Sequence, residues 1–502
     1  MSGEPMPDPE RSDGRAQAAA LAALSFVLFA TRLFASSRVG FGDSEALYAA
    51  YALHPQPAYL DHPGLIGVFA RVLGGGTAPD PRRAHEVTAV LATVVPWCMA
   101  LFCRAAGATW SRSLSTAIVV ALVPEMAIGL FAMTPDLLLS ILWMASLTLA
   151  AVALRSEPGG ARATLAFAGA GLLAGTAAAS KVTGLLLLPA LVAAYASRPA
   201  RPHARSVAPW AGLAAGLLVL LPIASFEERT GWPMVLHRLG DTQSDAGLSL
   251  RNAGALVGGQ LAYLSPIVAY LVVLAARAAW RGREDAIGTL LLAASAIPAL
   301  VLVPLALWSR VAEPHWVAPA MLALGPAIAR TAAGPSRRLV IAASVLAGVC
   351  VVAVHAWVLI PQALRLAPRS YDARLDIANE LYGWPEVLSA VRDEVAAQAS
   401  PGLEDVSVVG PHWVICAQLE ADFQRDVHVG CDTPIRDDFD AWWPRSQWHK
   451  SESIVWVTDD RFGPPPALPL HALLSLRKIR IKRADRVVRT FTIAVFVRRA
   501  EG

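Results

Sequence analysis

FGDSEALYAAYALHPQPAYLDHP, residues 41–63, follows the first long apolar run of the chain and sets Asp43, Glu45, Asp61 and His62 just beyond it. Carboxylates this close to a bilayer are expensive to desolvate, so they are candidates for chemistry by default. The stretch reads as the first outer loop of a membrane enzyme that carries catalytic acids.

Outward from that loop, apolar runs of about 18–20 residues recur between Ala16 and Ile360, the length that crosses ~30 Å of hydrocarbon. The chain of 502 residues is 55% hydrophobic and only 16% charged, whereas soluble domains carry roughly 25% charged residues. Eleven spans are expected, over 16–34, 85–103, 114–130, 137–154, 163–179, 184–196, 207–225, 255–275, 286–302, 316–329 and 339–360. The sixth and tenth are short, as tilted, re-entrant or paired segments would be.

Arginine sets the expected orientation. Arg104, Arg112, Arg155, Arg162, Arg198, Arg201, Arg205, Arg277, Arg281, Arg283, Arg330, Arg337 and Arg338 fall in alternate loops, with Arg11 and Arg15 ahead of the first span. The positive-inside rule makes that side cytoplasmic. Residues 1–15 are then a cytoplasmic tail, 16–360 a membrane-embedded domain, and 361–502 an extracytoplasmic domain on the side of the acidic loops. The net charge of +4 is small, and no nucleic-acid partner is expected.

Past Arg369 the composition changes sharply. Helical patterns follow Trp384-Pro385 and cover Trp413–Phe423, and β-rich runs occupy 406–409, 454–457 and 490–497, the pattern of a small α/β domain. Cys416 and Cys431 fall in this tail, where an oxidising compartment would allow them to pair. Cys98, Cys103 and Cys350 lie in apolar segments and read as small packing residues.

Five patches on the acidic side carry the candidate chemistry. They are Gly42-Asp43-Ser44-Glu45-Ala46-Leu47-Tyr48, Ala58-Tyr59-Leu60-Asp61-His62-Pro63-Gly64-Leu65, Ala132-Met133-Thr134-Pro135-Asp136, Ser180-Lys181-Val182-Thr183-Gly184, and Glu313-Pro314-His315-Trp316-Val317-Ala318-Pro319-Ala320. In kind and order they resemble the bacterial GT-C membrane glycosyltransferases related to protein O-mannosyltransferases and to the lipid A aminoarabinose transferase. Those proteins pair Asp with Glu in the first outer loop; here Ser44 stands between Asp43 and Glu45. Gly64 stands where a second proline is common.

The resemblance implies a polytopic α-helical fold with a small C-terminal α/β domain, seated in a bacterial inner membrane with its site facing outward. It implies transfer of a sugar from a polyprenyl-phosphate donor to a glycan, lipid or protein acceptor, with inversion. Asp43 is the expected base, a role typically contributing ~10²–10⁴-fold, with Glu45 and Asp136 assisting. Departing phosphate needs positive charge, for which Lys181, His62, Arg82 and Arg83 are candidates. Tyr59, Asp61, His315 and Trp316 are expected substrate contacts, and Asp61 with His237 is a candidate pair for a divalent cation.

Structural readings stand beside these. Asp43, Glu45, Asp61 and Asp136 all suit helix starts, Lys181 suits a snorkelling lysine, and His315-Trp316 suits an interfacial belt. Two rival functions are a flippase for lipid-linked sugar and an inactive membrane scaffold. A flippase would favour internal repeats, and none is visible in the sequence.

Overall fold

A computed structural model describes residues 9–243, 246–309, 313–331, 334–399 and 405–499. Of the expected N-terminal tail, 1–8 lies outside the described residues.

The chain starts with α1 (Pro9–Ser36), and the loop after it holds α2 (Asp43–Tyr51) and α3 (Leu65–Gly74). Then come α4 (Pro81–Ala105), α5 (Trp110–Leu122), α6 (Pro124–Ala127), α7 (Pro135–Leu154) and α8 (Ala161–Ser180). Six helices among the described residues are long and apolar enough to cross a membrane, and nine if three bent pairs each count as one span. The bent pairs are Trp110–Leu122 with Pro124–Phe131 (75°), Ala208–Val219 with Leu221–Thr230 (43°) and Leu250–Leu264 with Pro266–Glu284 (100°). Pro124, Pro222 and Pro266 sit at the three breaks, where proline removes a backbone donor. The other two of the eleven expected spans are shorter. The segment over 184–196 is the short apolar helix Val182–Tyr195, and 316–329 divides into Pro314–Val317, Ala318–Leu322 and Leu324–Ala329.

Two features hold the membrane part together. Gly171 and Gly175 of α8 face Gly212 and Gly216 of Ala208–Val219 so closely that a Cβ on any of the four would run into backbone, the small-residue crossing of membrane helices. Arg32, buried in α1, donates to the carbonyls of Met126 and Ala127 and so satisfies backbone acceptors at the α5–α6 break, as helix breaks in membranes require.

The loops gather at two ends. Arg155 donates to the carbonyl of Ala105, Arg112 to that of Thr331, and Arg330 pairs with Asp285. At the other end the first loop, the start of α7, Lys181 and residues 313–317 meet one another and the tail.

The tail folds around a five-stranded sheet of β1 (Val406–Gly410), β2 (His428–Cys431), β3 (Ser453–Asp459), β4 (His471–Arg483) and β5 (Arg486–Arg498), ordered β2-β1-β3-β5-β4. β1 runs parallel to β2 and β3, while β5 is antiparallel to β3 and β4. Helix Trp413–Phe423 connects β1 to β2, and a Cys416–Cys431 disulfide ties it to β2. The same helix packs on α2, so a single core joins Ala46, Leu47, Tyr51 and Ile66 to Ile415, Leu419 and Val455. The first loop is thereby clamped between the membrane bundle and the tail.

Candidate active site

Two residues subtend about 200° around a helix, so Asp43 and Glu45 of α2 face different neighbours. Glu45 is buried and saturated. It accepts from His85 Nε2 (2.9 Å), Met133 N (2.6 Å) and, as a capping box, Gly42 N (2.9 Å). Burial pushes its carboxyl up, but His85 and the two backbone donors outweigh that and hold it below the ordinary range. Glu45 thus ties α2, α4 and the loop ahead of α7 together.

Asp43 faces the tail. Its Oδ2 accepts from Arg461 Nη1 (2.7 Å), and Arg461 also meets Asp459, which Arg489 holds at 2.6 Å. Glu380 lies 3.8 Å from Arg461. Asp43 Oδ1 is buried with no hydrogen-bond partner among the described residues. Burial raises the Asp43 carboxyl against the pull of Arg461 and Arg489, and burial together with the Asp43 charge raises Glu380 to about 7.

A second cluster forms one and a half turns along α2. Lys181 Nζ, at the C-terminus of α8, donates to both oxygens of Asp136 in the first turn of α7 (2.7 and 2.8 Å) and lies 3.5 Å from His315 Nε2. His315 Nδ1 is 3.1 Å from Glu313. Tyr48 and His62 Nε2 share a hydrogen bond of 3.0 Å. Burial first, then Arg238 and Lys181, hold His62 well below its usual range, so His62 is a neutral partner of Tyr48 and adds no positive charge. Arg238 adds it instead, donating twice to the Asp61 carbonyl (2.8 and 3.0 Å) with its guanidinium 3.3 Å from Asp61 Oδ1.

The remaining expected residues are placed differently. Tyr59 is buried, stacked on Tyr51 at 3.6 Å, and its hydroxyl donates to the carbonyls of Tyr51 and His54; it shapes the loop. Trp316 is half-buried in the turn after His315. Arg82 pairs with Glu86 one turn on, and Arg83 is exposed beside it; no ion pair among the described residues ties either to the two clusters. His237 Nε2 lies 3.7 Å from Asp61 Oδ1. That pair does not fit a divalent cation, because Arg238 takes the same carboxylate. No group of three or more His, Cys, Asp or Glu able to hold a metal occurs among the described residues.

Below the second cluster an apolar cavity of about 770 Å³ descends between α5, Pro266–Arg281 and Arg337–Leu359. Ala318 and Met321, just past His315, line it, as does Glu125, which lies within electrostatic reach of His315, Asp136 and Lys181. Sequence reasoning passed over Glu125, although a lone acid inside an apolar span is a signal in itself. Arg461, Asp459, Arg489 and Arg238 were also missed, since nothing local marks them.

The fold is that of the GT-C membrane glycosyltransferases. Residues 82–226 match the family model of dolichyl-phosphate-mannose-protein mannosyltransferase. Among solved structures, ArnT from Cupriavidus metallidurans bound to undecaprenyl phosphate matches with a TM-score of 0.58 at 14% identity, over 95% of this chain and 97% of that one. The same protein in the apo state matches at 0.55 with 13% identity, over 96% and 98%. The archaeal oligosaccharyltransferase AglB from Archaeoglobus fulgidus, in complex with an inhibitory peptide and a dolichol-phosphate, matches at 0.51 with 12% identity, over 88% and 69%. No curated protein matches the chain in sequence. The likeness to the solved structures is one of fold, and the resemblance read from the five patches agrees with it.

Proposed function

We propose that the chain is an inverting glycosyltransferase of a bacterial inner membrane. It would take a sugar from a polyprenyl-phosphate donor and pass it to a hydroxyl of an extracytoplasmic glycan, lipid or protein. The observation that carries this reading is Lys181, a buried ammonium held between Asp136 and His315, within electrostatic reach of Glu125 in the wall of an apolar cavity. The cavity suits an isoprenoid tail, and the cations above it suit the phosphate at the tail's end. Likeness of fold to proteins whose structures hold undecaprenyl phosphate and a dolichol-phosphate supports the same reading.

In the reaction the acceptor oxygen attacks the anomeric carbon, and the bond from that carbon to the phosphate oxygen breaks. The electron pair leaves on the phosphate, where Lys181 and Arg238 stabilise the developing charge. The acceptor proton passes to a carboxylate. Asp43 is the proposed base, since its Oδ1 has no hydrogen-bond partner among the described residues and burial raises its basicity. The positive-inside reading places both clusters and the tail outside the cytoplasm.

The test is a transfer assay with purified protein, a labelled polyprenyl-phosphate sugar and extracted envelope acceptors. Label appearing in an acceptor supports the reading. Movement of the labelled lipid across a liposome bilayer without any bond formed would replace it with the flippase reading.

A further inference from the structure

The last membrane helix, Arg337–Leu359, emerges into a segment unlike the rest of the tail. Leu366, Leu375 and Ile377 are 85%, 82% and 72% exposed, barer than the exposed leucines Leu473, Leu474 and Leu476 of the β4 edge strand at 54%, 60% and 49%. Exposed Arg365, Arg369 and Arg374 alternate with them along the chain. Side chains so bare are costly in water, and they follow directly from a membrane helix.

The tip of the β4–β5 hairpin is fixed at the same level. Arg483 donates to the Trp357 carbonyl within the last turns of the helix, Tyr382 donates to the Val358 carbonyl, and Arg365 pairs with Asp485 at the hairpin tip. Arg374 and Arg486 then border an open cavity of about 640 Å³ whose walls include Tyr371 and Val487, with exposed Lys482 nearby on β4. The local anions are Asp372, in a surface pair with Arg374, Asp485, paired with Arg365, Asp376, which accepts from the Tyr371 hydroxyl and lies 3.4 Å from Arg483, and Asp460, within electrostatic reach of Arg374. Surface pairs of this kind exchange readily for a stronger anion.

We propose that this collar docks on anionic phospholipid of the adjoining leaflet. Leu366, Leu375 and Ile377 enter the hydrocarbon boundary, and Arg374 and Arg486 hold a headgroup phosphate in the cavity between them. Guanidinium forks match phosphate oxygens in geometry and charge, and apolar side chains beside arginine are the pattern of an interfacial segment. The contact fastens the tail, and with it Asp459, Arg461 and Arg489, at a fixed height over the membrane. The inference stands apart from the proposed glycosyl transfer.

The experiment is native mass spectrometry of the full-length protein in detergent, titrated with phosphatidylglycerol or with phosphatidylcholine of the same chain length. Each basic residue close to an anionic lipid surface contributes ~5-fold, so the double variant Arg374→Gln/Arg486→Gln is expected to bind phosphatidylglycerol about 30-fold more weakly. Its affinity for phosphatidylcholine is expected to stay unchanged. Arg374→Lys/Arg486→Lys, which keeps the charge, is expected to retain most of the binding and guards against a folding defect in the glutamine variant. Equal phosphatidylglycerol affinity in wild type and both variants would overturn the proposal. So would displacement of the lipid by inorganic phosphate at equal concentration, which would mark a free-anion site.

Discussion

Lys181 and Asp136, 45 residues apart in sequence, form a two-oxygen ion pair with Nζ 2.7 and 2.8 Å from the carboxylate oxygens. The pair joins the end of α8 to the start of α7 and leaves the lysine charge balanced before substrate arrives. On the proposed reading, a donor phosphate would compete with Asp136 for the same ammonium. Arg238 holds Asp61 from another segment, so on that reading the phosphate would meet two cations whose resting partners are carboxylate or carbonyl oxygens.

Glu45→Ala removes the shared acceptor of His85, Met133 and Gly42. A buried donor left without its acceptor typically costs ~1–3 kcal/mol, so the thermal unfolding midpoint in detergent should fall. Because the folded carboxyl is held low, the stability from Glu45 is present above its unfolded pKa and is lost as pH falls through the folded one. An unchanged midpoint in the variant would show that the three bonds are not a structural tie.

Asp43→Asn should lower transfer by ~10²–10⁴-fold with folding intact, the range of a lost general base. Arg461→Gln acts more gently but in a distinctive direction. Arg461 pulls the Asp43 carboxyl down, so its loss raises that pKa. The acidic limb of the pH–rate profile, where the base is protonated, should then move to higher pH. A limb that stays in place would mean that Asp43 is an interdomain tie and another carboxylate is the base.

Asp438 of the tail accepts from Leu60 N (3.1 Å) and from the Tyr51 hydroxyl (3.0 Å), which anchors the loop that carries Asp61. Burial raises it to about 7, whereas an unfolded aspartate titrates near ~3.9. Between those values the folded state binds the extra proton, so stability should fall as pH rises from about 4 to about 7. Asp438→Asn should flatten that slope and raise the unfolding midpoint at pH 8 by several degrees. Parallel slopes in the two proteins would count against the assignment.

Cys416→Ser with Cys431→Ser opens a loop of 15-residue separation. Loops of that size contribute roughly 3 kcal/mol when closed, and the loss should appear as earlier unfolding of the tail. Hydrogen exchange in Trp413–Phe423 would report it, along with any loosening of α2 packed beneath that helix.

Much of this was legible from local sequence because membrane length and short motifs are local properties. The acidic loop, Pro135-Asp136, Ser180-Lys181 and Pro314-His315 were each visible, and the structure brings Asp136, Lys181 and His315 within hydrogen-bond or ion-pair reach. The division of labour between Asp43 and Glu45 was not, since it depends on His85 and Met133 on one face of α2 and on Arg461, 418 residues away, on the other. The break at Ser265, with φ +73°, makes a span by hydropathy into a right-angled pair by geometry. β4 escaped notice because it is an edge strand exposed along nearly its whole length, so it lacks the alternation of a half-buried strand.

The most direct test of the central claim is release of labelled polyprenyl phosphate from a polyprenyl-phosphate sugar by purified wild type and Lys181→Met, with Lys181→Arg alongside. Wild type should release the lipid phosphate as the acceptor is glycosylated. Lys181→Met should be slower by at least ~100-fold, the scale of one lost transition-state contact, with Lys181→Arg between them. A Lys181→Met protein that turns over at the wild-type rate would contradict the assignment of this cluster as the reaction centre.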